Sequence, residues 1–282
     1  MENMSTNPLA KYFRQPAIHT KLPSKGQFWP EGSLELPVTG EIPIYPMTAK
    51  DEVTIRTPDA LMNGSSVVDV IQSCCPNIKD AWRMPSVDVD ALLIAIRIAS
   101  YGHEMDVDTH CPYCKEENNN AVDLRDMLGR IVCPDFSKKI EINGLKIKLK
   151  PQEFKSVNKQ NAITFEEQRI LDSLSNVDLD KEVRIVTIAA SMSKLVELGI
   201  STVTDSTDYI ELEDGTIVNN PDHIREFYNK ADGSVVKSIQ TVLIDTNKDA
   251  AIKASSVKCV KCEKDYEVPM EFDYANFFVK GS

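Results

Sequence analysis

Two pairs of cysteines carry the chemistry this sequence offers. Cys111 and Cys114 stand in "THCPYCKEENNN", and Cys259 and Cys262 stand in "SSVKCVKCEKDYEVPMEF". Each pair has CxxC spacing, and each is led in and followed by a β-prone stretch with a polar turn between. A CxxC turn can present two sulfurs to one metal. Two such turns meeting give four thiolates in a tetrahedron, a donor set that suits Zn²⁺ with Zn–S of ~2.3 Å. Lys115, Lys258, Lys261 and Lys264 lie beside the pairs and could offset the charge of four thiolates around a dication. Such a site is closed to water and substrate, so the zinc would be structural, tying residue 111 to residue 262.

A redox reading competes for the first pair. CPYC resembles a glutaredoxin active site, where the first cysteine is activated at a helix N-terminus after a strand. Here "KEENNN" follows, a poor first helical turn, and the second CxxC has no role in that scheme. Unrelated buried cysteines are the third reading. His110 adjoins Cys111, but four cysteines already complete a shell. Cys133 reads as a lone core thiol, and vicinal Cys74 and Cys75 as small buried residues at a helix end.

The elements that must position these pairs can be read in outline. Residues 1–50 are proline-rich, with prolines at 23, 30, 37, 43 and 46, and read as an extended arm with short edge strands in "SLELPV" and "EIPIYP". Residues 51–128 hold helices and the first knuckle. "SSVVDVIQSCC" suggests a helix capped by Ser65 or Ser66, and "SVDVDALLIAIRIASYGH" a buried helix capped by Ser86 and stopped at Gly102. "MDVDTH" and "NAVDLRDM" read as strands flanking the cysteine turn. Residues 129–253 form a mostly helical insert. It contains a hairpin at Asn143-Gly144, a helix opened by a Thr164/Glu167 capping box, and a helix in "DKEVRIVTIAASMSKLVELGI" stopped near Gly199. A short hairpin at Asp214-Gly215, a helix capped by Asn220 with Pro221 first, and a helix in "DGSVVKSIQTVLIDTNKD" follow. Residues 254–282 hold the second knuckle and an aromatic tail. The expected class is α+β: a zinc-ribbon-like pair of β-hairpins, a helical N-terminal region, and a helical insert between the two CxxC knuckles.

Bulk composition narrows the function. The chain has 282 residues, 42% hydrophobic and 27% charged, with a formal net charge of −11. That balance argues against nucleic acid as the main ligand and suits protein partners. The longest apolar run, "ALLIAI", is too short to span a bilayer. No secretory signal is visible in "MENMSTNPLAKYF" and the cysteine count of seven is odd, so the thiols are expected to stay reduced in a cytoplasm. No phosphate-binding loop, dinucleotide fingerprint, zinc-protease helix or nucleophile elbow is present. Acidic runs such as "SVDVDA" and "NVDLDKE" sit at helix starts, where the dipole accounts for them. No enzyme activity is expected.

Several stretches in order, "KLPSKGQFWPEG", "IPIYPMTAKDEVTIRTPDALMNGSSVVDVIQSCC" and "DVDALLIAIRIASYGHEMDVDTHCPYC", resemble the T4-type phage baseplate protein family, which includes the baseplate hub subunit and hub-assembly factors. The terminal Cys259, Cys262, Phe272, Phe277 and Phe278 fit the same pattern. The chain departs from it with Trp29 in place of Tyr, and with Lys115 where zinc knuckles often carry Gly. The likeness is good over residues 20–150 and weak over the central insert. It implies a virion or assembly protein of a contractile-tailed phage, present in host cytoplasm during assembly and in the tail baseplate afterwards. Its partners would be other baseplate and tail proteins in a multi-subunit complex, with no nucleic acid and no membrane. The alternatives are a zinc-ribbon module for nucleic acid or a polymerase, and a thiol oxidoreductase using CPYC. Partner contacts are expected at Leu22–Trp29 and at Phe277 and Phe278, unless these aromatics close the chain's own core.

Overall fold

A computed structural model describes residues 7–57, 64–176, 180–250, 255–268 and 277–278. In chain order the strands are β1 (Ile18–Lys21), β2 (Glu41–Ile44), β3 (Glu104–His110), β4 (Glu117–Asp123), β5 (Lys139–Ile142), β6 (Leu145–Leu149), β7 (Thr207–Glu211), β8 (Ile217–Val218), β9 (Ser255–Lys258) and β10 (Asp265–Val268). The helices are α1 (Ala49–Ile55), α2 (Ser65–Cys74), α3 (Ser86–Tyr101), α4 (Leu124–Arg130), α5 (Phe154–Asn176), α6 (Lys181–Asp205), α7 (Pro221–Lys230) and α8 (Gly233–Ala250). The class is mixed helix and strand, with small antiparallel sheets.

The first core gathers around α3. Its residues from Ala91 to Arg97 are all buried, as its encircling apolar pattern requires. Val67, Val70 and Ile71 of α2, Ile55 of α1, and Ile42 and Ile44 of β2 pack on it. Neither expected serine cap forms. Gly64, at φ 75°, starts α2, and Pro85 starts α3. A side chain at 64 would be strained by that left-handed φ, and its Cβ would press on the Asn158 side chain of α5.

The proline-rich segment belongs to this core. β1 pairs with β2, Leu22 is buried, and the N–H of Ser24, its hydroxyl and the indole N–H of Trp29 all donate to the Asp88 carboxylate at 2.8, 2.5 and 2.8 Å. Burial, opposed by these three bonds, raises the Asp88 pKa above the ordinary carboxylate value. Asp88 is thus more than a helix-dipole residue: it pins residues 24–29 to α3. Leu22 and Trp29 face inward, so the expectation of partner anchors there gives way to self-packing.

The C-terminal aromatics resolve the same way. Phe277 and Phe278 are buried in the first core, edge to face at 5.2 Å. The Arg97 guanidinium donates to the Phe277 carbonyl and lies over its ring. Phe272 lies outside the described residues.

The second core lies between the sheet β5-β6-β7-β8 and α6, α7 and α8. Asn143 and Gly144, both at positive φ (51° and 78°), make the β5–β6 turn as expected. Asn220 caps α7 through the N–H of Asp222, with Pro221 first. Between β6 and β7 the chain leaves the sheet as the antiparallel pair α5–α6. Two expectations fail here. Thr164 is mid-helix, its hydroxyl donating to the Gln160 carbonyl, and Glu167 pairs with Lys194 of α6 at 2.7 Å rather than with a cap. α6 runs through Gly199 to Asp205. Similarly "NAVDLRDM" splits, because Asp123 ends β4 and caps α4 by accepting from the Arg125 N–H.

Candidate metal centre

The two CxxC motifs occupy the turns of two matching hairpins. β3 pairs with β4, the last pair being His110 with Glu117, and β9 pairs with β10, the first pair being Lys258 with Asp265. Each hairpin therefore closes around a turn of the same length, CPYCKE at 111–116 and CVKCEK at 259–264. The turns share their internal bonds as well. The N–H of Cys111 donates to the Glu116 carbonyl and the N–H of Lys115 to the Cys111 carbonyl, both at 2.9 Å. In the second turn the N–H of Cys259 donates to Lys264 and that of Glu263 to Cys259, both at 3.0 Å. The residue after each second cysteine is left-handed, Lys115 at φ 63° and Glu263 at φ 56°. Lysine at the usual glycine position is thus accommodated, at the strain of a positive φ in a non-glycine residue.

The turns bring their sulfurs together. Cys111 Sγ lies 3.7 Å from Cys262 Sγ and Cys114 Sγ lies 3.6 Å from Cys259 Sγ. All four sulfurs are within 4.8 Å of one another. These separations are far too long for disulfides. They match the edge of a thiolate tetrahedron, ~3.8 Å for a metal–sulfur bond of ~2.3 Å. The four cysteines therefore lie close enough to bind a metal ion.

Backbone N–H groups are aimed at the sulfurs. The N–H of Cys262, with that of Lys261 at 3.4 Å, outweighs burial and brings the Cys259 pKa down to about 6. Burial opposes ionisation of Cys111, but the N–H groups of Cys114 and Tyr113 and the neighbouring thiols carry its pKa below the usual thiol value. At Cys114 the N–H of Glu116 favours the thiolate, yet burial and the surrounding sulfurs push the pKa up to about 12.

Other contacts join the hairpins. Asn118, buried on β4, accepts the Val260 N–H of the second turn at 2.8 Å and donates to the Glu116 carbonyl of the first. The Thr109 and Tyr266 hydroxyls are 2.6 Å apart. Val257, Tyr266 and Val268 pack against Cys111 and Cys259. Of the flanking lysines, Lys261 holds its proton more tightly through Glu116 first and through Cys114 and Cys259 as well, in line with the charge-offset expectation. Lys261 pairs with Glu116 at 2.5 Å, Lys258 reaches Glu263 at 3.8 Å, and Lys264 lies over the Tyr113 ring. Glu116 thus shares Lys261 with the sulfurs of the cluster.

The sequence reading named the four cysteines and missed Asn118, Thr109 and Tyr266. The alternation of "NNN" was the available signal, since a strand there puts Asn118 and Asn120 on one face and Asn119 on the other. His110 is exposed and stands outside the sulfur cluster. Cys74 and Cys75 are buried, Cys74 with its pKa pushed up to about 12 chiefly by burial. Cys133 is half-buried beside the second core. Cys111 follows a strand, but β4 and not a helix follows the CPYC turn, so the helix N-terminus that activates a redox CPYC is missing there.

Among the described residues no helix is long and apolar enough to cross a membrane. No curated protein and no solved structure matches the chain. The family model described as "T4 bacteriophage base plate protein" matches residues 16–279. That span takes in both thiol pairs and the central insert that resembled the family only weakly. The chain accordingly belongs to the T4 bacteriophage base plate protein family, whose members take a structural part in the multi-subunit tail of the virion.

Proposed function

We propose that this chain is a structural or assembly component of the hub region of a contractile-tail baseplate. It works through protein–protein interfaces and is held by one structural Zn²⁺ on Cys111, Cys114, Cys259 and Cys262. The observation that carries the metal reading is the convergence of four sulfurs, from turns at 111–116 and 259–264, within 4.8 Å. The donor set is all thiolate in kind, which favours Zn²⁺ over hard cations. Four protein donors leave no open position, so the ion would hold structure only. The paired knuckles are the basis for reading the hairpins as zinc-ribbon-like. Within this reading the chain divides as an arm (1–50) wrapped on the body, the α-helical region with the first knuckle (51–128), the insert (129–253), and the second knuckle with its aromatic tail (254–282).

Native mass spectrometry of the purified chain tests the metal. One zinc per chain is expected, with Cys111→Ser losing it. A zinc-free chain with four titratable thiols in this cluster would sink the ligand assignment. Proteomics and immunolabelling of purified tails test the location, with signal expected at the hub and not at the baseplate rim.

A further inference from the structure

Between the two cores the surface opens into a cleft of about 820 Å³. One wall belongs to the first core, with Leu22 and Ile131, and the other to the second, with Phe28 and Phe136. The loop that crosses from one wall to the other has an unusual backbone. Lys25, Gly26 and Phe28 are all left-handed, at φ 55°, 79° and 67°. Such a φ is costly for lysine and more so for an aromatic residue, and strain of this kind gathers at ligand clamps. The Asp88 carboxylate holds the loop in this shape by accepting from both of its ends, Ser24 and Trp29. The result is a Phe28 ring set edge to face on Phe136 at 5.7 Å and left half-buried along the cleft. The cleft is thus formed before anything enters it, as ligand sites between packed units usually are.

The charges at the cleft indicate the occupant. Lys21, Lys25 and Lys148 line it against one acid, Asp135. Asp135 is already engaged, by the Ser137 N–H at 2.9 Å and by Lys138 at 3.9 Å. Lys148 donates to the Ser137 carbonyl, Lys21 reaches Glu41 only at 3.8 Å, and Lys25 has no ion-pair partner among the described residues. A basic rim therefore surrounds an apolar floor, in a chain whose net charge is −11. Apolar side chains of a partner would bury on the floor while carboxylates beside them meet the lysines, and the same lysines turn away a basic segment. We propose that this cleft is the docking site for a segment of another tail protein that carries Leu, Ile, Val, Met or Phe side chains flanked by Asp or Glu. The inference rests on the reading of this chain as a baseplate interface protein.

Photocrosslinking in the infected host tests it. A null allele is complemented by the full chain with p-benzoylphenylalanine in place of Val132, a lining residue that is 55% exposed. The exposed lining residue Ser137 is the second label position, used where a label at 132 blocks tail assembly. Mass spectrometry of the crosslinked peptide is expected to find an acidic, apolar segment of a different tail protein. The variant Lys21→Gln/Lys25→Gln changes only exposed side chains, so its melting temperature is expected within about 2 °C of its parent, while crosslinking to that segment falls at least fivefold. A crosslink that the Gln variant leaves at full yield, a crosslinked segment without Asp or Glu, or a crosslink to a second copy of this chain overturns the proposal. Absence of any crosslink from a labelled chain that restores tail assembly overturns it too and leaves the baseplate role standing. Normal tails from the null allele overturn both.

Discussion

The core around α3 and the thiol cluster solve the same problem by different means. Each must hold chain segments that are far apart in sequence. The first joins residues 22–44, 55, 67–96, 124–127, 154 and 277–278 by burying many apolar side chains, with Asp88 and Arg97 as polar ties. The second joins residues 104–123 to 255–268, and has little beyond Val257, Tyr266, Val268 and four cysteines to bury. Two small hairpins cannot build a core of useful size. The contrast teaches that the sulfurs stand in for missing apolar area, as metals do in other small modules.

Removing the metal should break that contrast most sharply. In small zinc modules the ion contributes on the order of 10 kcal/mol. Chelation, or Cys111→Ser, is expected to free the amides of 104–123 and 255–268 to hydrogen exchange while those of α2 and α3 stay protected. Equal loss of protection in both regions would mean that the cluster and the first core form one cooperative unit. Next in size is Leu93→Ala, in the fully buried middle of α3. It should cost about 2–5 kcal/mol in a denaturant melt and leave zinc content unchanged.

Asn118→Ala should come third. It removes the bond from the Val260 N–H across to the first hairpin, at about 0.5–1.5 kcal/mol. Read as hydrogen exchange confined to the two hairpins, it would show how much the cluster owes to bonds other than sulfur–metal. The last test, Asp88→Asn, is read as a change of slope, on top of the loss from setting an NH2 group against the Ser24 or Trp29 N–H. An acid whose folded pKa is raised holds its proton more tightly when folded. Its contribution is greatest below the unfolded carboxylate range and is lost as pH rises through that range to the raised value. Wild type should therefore lose stability relative to the asparagine variant over that window. Parallel pH profiles would remove Asp88 as the cause.

The same two regions show what could be read in advance. The thiol cluster was legible because metal chemistry imprints spacing on the sequence, and CxxC keeps its meaning whatever lies between. α2, α3 and α7 were legible because periodicity and the Asn220–Pro221 cap are local signals. Asp88 was misread because its partners, Ser24 and Trp29, are distant in sequence, and an acid near a helix start has a sufficient local explanation. Thr164 and Glu167 spell a capping box, yet the pairing of Glu167 with Lys194 and the contact of Phe154 with Trp82 set the start of α5 ten residues earlier. The proline-rich segment looked like an arm because proline spacing reports only the lack of helix. It does not report that Leu22, Ile42 and Ile44 point inward.

The insertion of Phe277 and Phe278 into the α3 core has a consequence for how the protein is made. Synthesis runs from residue 1 onward, so the apolar face of α3 emerges from the ribosome long before its last cover exists. Cys111 and Cys114 likewise wait for Cys259 and Cys262. Both closures fall due together, after residue 278 has been added, so a nascent chain or one cut short near Ala250 would hold open an apolar cleft and two unmated thiols, a form that chaperones and proteases can tell from a finished subunit before it is built into a tail.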